Sequence, residues 1–402
     1  MKVVVVGGGL VGLAFALALR SASPKLEVQV LEARTAPTGE PDPLDSRATA
    51  INLASRELLQ HWGVWPSLLA NGQPIQGIHV SNRARFGSAL MTADSLGETA
   101  LGYVVENHYL GVALRNRALD LGICLDAPVS VVKVDTGIQP QIRLAEGSPL
   151  IADLVVVADG ADSPLCELLG ADFSRRTLAQ RAVAANVLFA GEQQGTAFER
   201  FTEHGPLALL PLLTNHSGQQ RFNLIWSLPP DEAMLLEAAP EEEFLSALQK
   251  AVGWRLGRVL AVGRRTGWDL YRSCVREQVR PGVVIAGNAA HTLHPVAGQG
   301  FNLSMRDAQR LAKTTADTIS RGERLGSQQH LQAYERLVAQ DQRITTVATD
   351  TLATLFCRRG PLLDWPRDAA LASLDLLPAV RDRIARRGTG RGTGAPLIEV
   401  NE

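Results

Sequence analysis

The sequence predicts an α/β protein in which a parallel-sheet domain is split by an inserted, mostly antiparallel β-sheet and closed by a helical C-terminal region. Three observations predict it. A buried strand, Val3-Val4-Val5-Val6, runs straight into a glycine-rich turn, and a second glycine-rich turn follows the strand Val283 to Ala286 far downstream. Between them, helix-strand alternation gives way to strands separated by turns.

The first turn reads Gly7-Gly8-Gly9-Leu10-Val11-Gly12, and Glu32 follows the second strand (Val28 to Leu31) about 20 residues after Gly12. Gly7 permits the tight turn, Gly9 lets backbone approach a pyrophosphate, Gly12 lets helix pack on strand, and Glu32 can accept both ribose hydroxyls. This is Rossmann-like dinucleotide-binding geometry, and it suits NAD and FAD equally. The uncharged run Val3 to Leu19 is too punctuated by glycine for a signal peptide or membrane span. A cytoplasmic, soluble or peripheral protein is therefore expected.

Pro37, Gly39, Pro41 and Pro43 mark a flexible connection ending at Asp45-Ser46-Arg47, and a helix follows around Arg56 to Trp62. Strands near Gln76 to Arg83 can join the inserted sheet. A helix is expected over Leu110 to Leu121, strands over Val129 to Val134 and Gln141 to Leu144, and a buried strand over Leu154 to Ala158 that runs into Asp159-Gly160. The inserted sheet comprises Val183 to Phe189, Thr196 to Thr202, Leu207 to Leu212 and Phe222 to Leu228, with one helix at Glu241 to Val252. In domain terms, residues 1–75, 101–180 and 273–330 make the nucleotide-binding domain, 76–100 and 181–272 the substrate domain, 331–386 the C-terminal helices and 387–402 a frayed basic tail.

At 402 residues, with 46% hydrophobic and 20% charged, the chain can bury two cores, and a net charge of -1 argues against nucleic-acid binding. Cys124, Cys166, Cys274 and Cys357 form no C-x-x-C pair, which fits a reducing compartment and no structural zinc.

The second glycine-rich stretch, Gly287-Asn288-Ala289-Ala290-His291-Thr292-Leu293-His294-Pro295-Val296-Ala297-Gly298-Gln299-Gly300-Phe301-Asn302, separates FAD from NAD. It opens a helix, and a helix N-terminus offers unpaired N–H groups and partial positive charge. A reduced flavin carries negative charge at its pyrimidine end and a nicotinamide does not. Gly298 and Gly300 let backbone lie close to that ring. The expectation is one FAD, adenosine near Gly7 to Glu32 and ring near Pro295, Gly298, Gln299, Gly300, Phe301 and Asn302.

Three motifs in this order, the Gly7 turn, Ala158-Asp159-Gly160-Ala161-Asp162-Ser163 and the Gly287 to Asn302 stretch, resemble the class A flavoprotein aromatic hydroxylases. Within them the chain resembles the ubiquinone-biosynthesis hydroxylases, through Ala197 to Ala208, Gly253-Trp254-Arg255-Leu256-Gly257 and Gly287 to Asn302. The resemblance implies flavin contacts from Asp159, Gly160 and Asn288, and a pyrophosphate contact from Arg47. It implies FAD reduced by NAD(P)H, molecular oxygen, and a polyprenylated methoxyphenol substrate. It further implies the membrane surface and a multi-enzyme quinone-biosynthesis complex as partners. Three positions depart from the family pattern. Asn288 replaces an Asp, Cys166 stands where Arg is common, and Val112 stands where Gln or Arg is common, with Arg115 as a substitute.

Several residues carry two readings. Arg47 is either a pyrophosphate contact or a solvated Arg. His291 and His294 are three apart, but no third ligand accompanies them, so no metal is assigned; His294, Phe201, Leu210 and Pro211 are substrate candidates. Phe201 and Trp226 also suit a plain core. In the strand carrying Glu199 and Arg200, alternation aims one side chain at a cavity and the next away, without saying which. Arg381, Arg383, Arg386 and Arg387 suit either a solvated helix face or anionic lipid. Because the flavin carries the chemistry, no obligatory side-chain acid-base pair is expected. Two other functions share these features: an isoprenoid reductase, and a non-catalytic FAD-binding subunit.

Overall fold

A computed structural model describes residues 1–35, 44, 47–83, 88–191, 195–214, 218–295, 298–357 and 377–391. The Pro-rich connection at 37–43, with 45–46, and the tail beyond 391 lie outside the described residues. The β-branched run Lys2–Val6 forms a strand whose four valines are at most 5% exposed. It sits inside a six-stranded sheet ordered Val279–Arg280, Val283–Ile285, Leu154–Val157, Lys2–Val6, Glu27–Leu31, Cys124–Asp126. Every pairing is parallel except that of the edge strand Val279–Arg280. Parallel strands are buried on both faces, which is why these read as continuous apolar runs. On one face pack the helices Leu10–Ala22, Asn107–Asp120 and Gln299–Ser320, around Phe15, Leu17, Leu114 and Met305.

The second sheet has nine strands, formed around the long strand Phe173–Phe189. Gly77–Asn82 joins it parallel to Thr196–Phe201, and Ser88–Thr92 extends its edge. Its outer face is covered by Pro230–Ala238 and Glu241–Val252, with Phe244 and Leu248 packed on Leu209, Phe222, Leu224 and Trp226. Its inner face meets the first domain through Leu212, Ala197, Leu101 and Val104. There a buried ion pair, Arg221 Nη2 to Glu106 Oε1 at 2.8 Å, ties the two together. No described helix is long and apolar enough to cross a membrane.

Elements differ from expectation where polar ends carry no periodicity. The long strand begins at Phe173 rather than Val183, because its exposed Ser-Arg-Arg-Thr half is held by pairing to Thr266–Val275. A register shift between Thr177 and Gln180, with Ala179 at φ 52, joins the two halves. The helix expected from Arg56 starts at Leu53, capped by the Asn52 side chain, which accepts from Ser55 N–H at 2.9 Å. The basic tail is not frayed at its start. Pro378–Gly388 is helical, and Arg391 forms ion pairs with Glu57 and Glu98.

Candidate active site

The C-terminal ends of the parallel strands open toward one edge, where ligands bind in open α/β sheets. Gly7 turns there at φ 107, and a Cβ on it would lie 2.4 Å from the Ala158 carbonyl oxygen. At Gly12 a Cβ would lie 1.8 Å from the Gly7 oxygen. Both glycines are demanded by the protein's own packing. Gly9 is different: it caps the helix at φ -71 and ψ -178, angles open to any residue, and a Cβ there meets nothing within 4 Å. Gly160 and Gly300 likewise face open space. Glycine inside a helix costs about 1 kcal/mol relative to alanine. At Gly300, in the first turn of Gln299–Ser320, no contact among the described residues repays that cost.

Acceptors and donors converge on the same edge. Glu32 receives the N–H of Gly8 at 2.6 Å and of Arg34 at 2.9 Å, which fixes the carboxylate beside the turn with lone pairs to spare. Gly8 was not singled out from sequence, although a Cβ there would press on the Glu32 side chain at 2.8 Å. Asp159 carries an enclosed Oδ1 without a hydrogen-bond partner beside the open Gly160. Burial pushes its carboxyl up, against the pull of Ser163 and backbone donors. Open cradles at three glycines and an orphaned acceptor fit a dinucleotide carrying hydroxyls, and two helix N-termini fit its negative charge.

Asn288 is exposed on the turn Gly287–Ala289, free in geometry to meet such a ligand. Gly298 caps the late helix at φ 58, with Gln299 and Phe301 half-buried beside it and Pro295 half-buried before it; 296 and 297 lie outside the described residues. Arg47 is exposed, and its carbonyl accepts from Asn107 N–H at 2.7 Å. Cys166 is fully buried, its thiol pushed up to about 11 by burial, so this position offers no nucleotide contact. Val112 is 44% exposed.

Asn302, expected to contact cofactor, has another task. It is 1% exposed; its Oδ1 accepts from Asn52 N–H at 2.9 Å, and its Nδ2 donates to the carbonyls of Ala50 and Gly298, both at 2.9 Å. Its amide is spent on the protein, locking the strand Ala48–Asn52 to the helix Gln299–Ser320. Asn302→Leu is expected to lower stability by about 2–4 kcal/mol, since it strands buried backbone groups. Urea unfolding of the purified protein checks this; a loss below the usual surface-substitution range would refute the clamp.

The substrate candidates Phe201 and Leu210 lie on the inner face of the large sheet. One row crosses it in register: Val80, Glu199, Ala208, Ile225, Ala184. The first four are half-buried, whereas Leu207, Leu209, Leu224 and Trp226 on the opposite face are buried. Along this row the inner face is therefore incompletely covered by the rest of the described protein. Leu210 lies on it, next to Ile78, Met91 and Ala48, and Phe201 lies on it buried at 3%. Pro211 does not. Register with Phe222 puts it on the helix-covered face, away from the cofactor edge, which removes it as a substrate contact. His294 is 2% exposed, with Nε2 3.3 Å from Gln180 Oε1, and burial lowers its pKa to about 4, so it is neutral near pH 7. His291 turns elsewhere, to Asp307 at 3.2 Å. The small cleft lined by His79, Phe198, Arg200 and Arg255 is on the outer face, where Arg255 meets His79 at 2.7 Å; it is no part of this site.

Residues 1–343 match the FAD binding domain family. The chain is 33% identical to the ubiquinone hydroxylase UbiL of Rhodospirillum rubrum, over 88% of this chain and 81% of that protein. It is 31% identical to the 3-demethoxyubiquinol 3-hydroxylase of Escherichia coli, over 93% of this chain and 94% of that one. Among solved structures, p-nitrophenol 4-monooxygenase from Pseudomonas putida superposes with a TM-score of 0.76 at 22% identity, covering 97% of this chain and 96% of its own. That likeness speaks for the fold.

Proposed function

This chain belongs to the FAD binding domain family, and from that premise we propose that it is an FAD-dependent monooxygenase hydroxylating the ring of a polyprenylated methoxyphenol in ubiquinone biosynthesis. The observation that carries the reading is the open glycine cradle at Gly9, Gly160 and Gly300, taken together with the half-buried, mostly apolar row on the inner face of the large sheet. The names of the two relatives, both hydroxylases of ubiquinone or its precursors, support the substrate class.

FAD, when bound, supplies the redox and oxygen chemistry, with NAD(P)H as electron donor. The residues position and insulate. The helix N-termini at Gly9 and Gly298 stabilise negative charge on the cofactor. Ala208, Leu210 and Ile225 exclude water from the ring of the phenol. His294, neutral and held by Gln180, adds no charge near neutral pH. A quinone precursor lives in lipid, so we place the working protein at a membrane surface, with other enzymes of that pathway as neighbours.

The test compares 2-farnesyl-6-methoxyphenol with 2-methoxyphenol in liposomes, following oxygen uptake and product together. Burial of a few methylenes at about 0.8 kcal/mol each predicts on the order of 100-fold higher kcat/KM for the prenylated compound. Equal turnover would replace the substrate by a soluble phenol. Substrate reduction without oxygen uptake would turn the reading into a reductase, and flavin reduction without product into a non-catalytic subunit.

A further inference from the structure

The geometry points to Glu199 as the group that receives the ring hydroxyl of the phenol, accepting its hydrogen bond and then its proton. This rests on the functional reading above and adds to it a residue acting directly on substrate.

Glu199 occupies the middle of the inner-face row, between Val80 and Ala208, with Ile225 beyond. It is the one carboxylate in a row that is otherwise apolar. Its Oε1 is enclosed and has no hydrogen-bond partner, although the residue as a whole is half-buried on that incompletely covered face. A buried carboxyl oxygen without a partner is costly, and among the described residues neither an Arg nor a backbone N–H donates to this Oε1. The next residue, Arg200, points to the opposite face and cannot serve. Of the other groups facing this side, Arg221 is neutralised by Glu106, and His294 is kept neutral by burial. What is missing is a hydroxyl from outside, placed among apolar walls.

Burial alone raises the Glu199 carboxyl to about 8. An ordinary carboxylate near 4 is a poor base for a phenol near 10, and the rise brings donor and acceptor within about two units. In the step, the phenol O–H bond breaks, a new O–H bond forms on the Glu199 carboxylate, and the electron pair stays on the ring oxygen. No atom changes oxidation state. The retained pair raises electron density at the ortho and para carbons, where hydroxylation needs it. After the ring is hydroxylated, the proton returns to the ring oxygen and the carboxylate is restored. Only the ionised carboxylate can accept, so activity is low below the raised value and climbs as pH passes through it.

The experiment uses the FAD-loaded enzyme as wild type, Glu199→Gln and Glu199→Asp, each with its flavin content measured. The wild type is expected to show kcat/KM for 2-farnesyl-6-methoxyphenol rising about tenfold per pH unit up to about 8. Glu199→Gln should fall about 100-fold at the plateau and lose that rise, and Glu199→Asp should regain the rise at reduced rate. Binding gives an independent readout through flavin absorbance. The wild type should hold the phenol at least about tenfold more tightly than its O-methyl ether, while Glu199→Gln should hold both alike. A flavin-replete Glu199→Gln that keeps the wild-type pH rise and phenol-to-ether ratio overturns the inference, whatever its rate, and leaves the hydroxylase reading standing. A wild type that neither binds nor hydroxylates the phenol overturns both.

Discussion

Gly9→Val should yield a folded protein that no longer holds FAD. The substitution is compatible with the backbone, because φ -71 and ψ -178 are ordinary extended angles for a β-branched residue. Its Cβ meets no atom of the described residues within 4 Å, so the apoprotein should stay within about 0.5 kcal/mol of wild type. On the proposed binding mode, the new methyls would fill the space assigned to the pyrophosphate above the helix N-terminus and cover the N–H groups that would bind it. FAD affinity should fall at least about 100-fold, on the order of 3 kcal/mol. Gly12→Val is the contrasting case: its Cβ would sit 1.8 Å from the Gly7 oxygen, so it should unfold the domain and not merely empty it. Flavin absorbance per polypeptide, with urea unfolding of the same samples, separates the two outcomes. Full flavin retention by Gly9→Val would show that the cradle lies elsewhere.

Asp341→Leu should cost about 3–5 kcal/mol, the largest stability loss expected of any single change in the C-terminal helices. Asp341 is 4% exposed on Gln328–Cys357 and accepts from Arg306 Nε at 2.7 Å and from Arg310 Nη1 at 2.7 Å, both on Gln299–Ser320. Removing the carboxylate leaves the Arg306 guanidinium, 2% exposed, without its carboxylate, and leaves Arg310 only Asp307 at 3.5 Å. Burial pushes the Asp341 carboxyl up, but the Arg306 hydrogen bond and the charges of Arg306 and Arg310 more than reverse this, and it titrates below the usual range. A carboxyl with a depressed folded-state pKa stabilises the fold fully above its ordinary value near 4 and loses that contribution as pH falls through the depressed one. Wild type should therefore lose stability on acidification in this window, and Asp341→Leu should lose less. Urea midpoints measured from pH 6 down to about 3 give the comparison; parallel acid dependence in both proteins would exclude this contact as the cause.

The parts of the fold visible in sequence were those where one physical demand acts on adjacent residues. Val3 to Val6 and Leu154 to Val157 read as strands because burial on two faces selects an unbroken apolar run. The helix Glu241–Val252 has the bounds expected of it, with Pro240, three acids and Gly253 at its ends, whereas Pro230–Ala238 just before it is a second helix where one was expected. What escaped was set by partners distant in the chain. The polar half of Phe173–Phe189 is a strand only because Thr266–Val275 pairs with it. Asn302 looked like a ligand because it sits in the late glycine motif, yet its hydrogen bonds run to Ala50 and Asn52. Pro211 and Leu210 are neighbours in sequence and opposite in face, which only the register with Phe222 and Asn223 decides. Glu199 was ambiguous for the same reason.

The strand order of the parallel sheet carries a consequence for biosynthesis on the ribosome. Leu154–Val157 has Lys2–Val6 on one side from the start, but its other neighbour is Val283–Ile285. At roughly 5–20 residues per second, that edge stands open for about 6 to 26 s, a strip of bare valine backbone in a half-made protein. Gly77–Asn82 waits in the same way for Thr196–Phe201. Neither lobe can be finished before most of the chain has emerged, so the nascent protein needs shelter from aggregation through much of translation, and cutting it at a lobe boundary releases fragments with exposed edges instead of independent folding units.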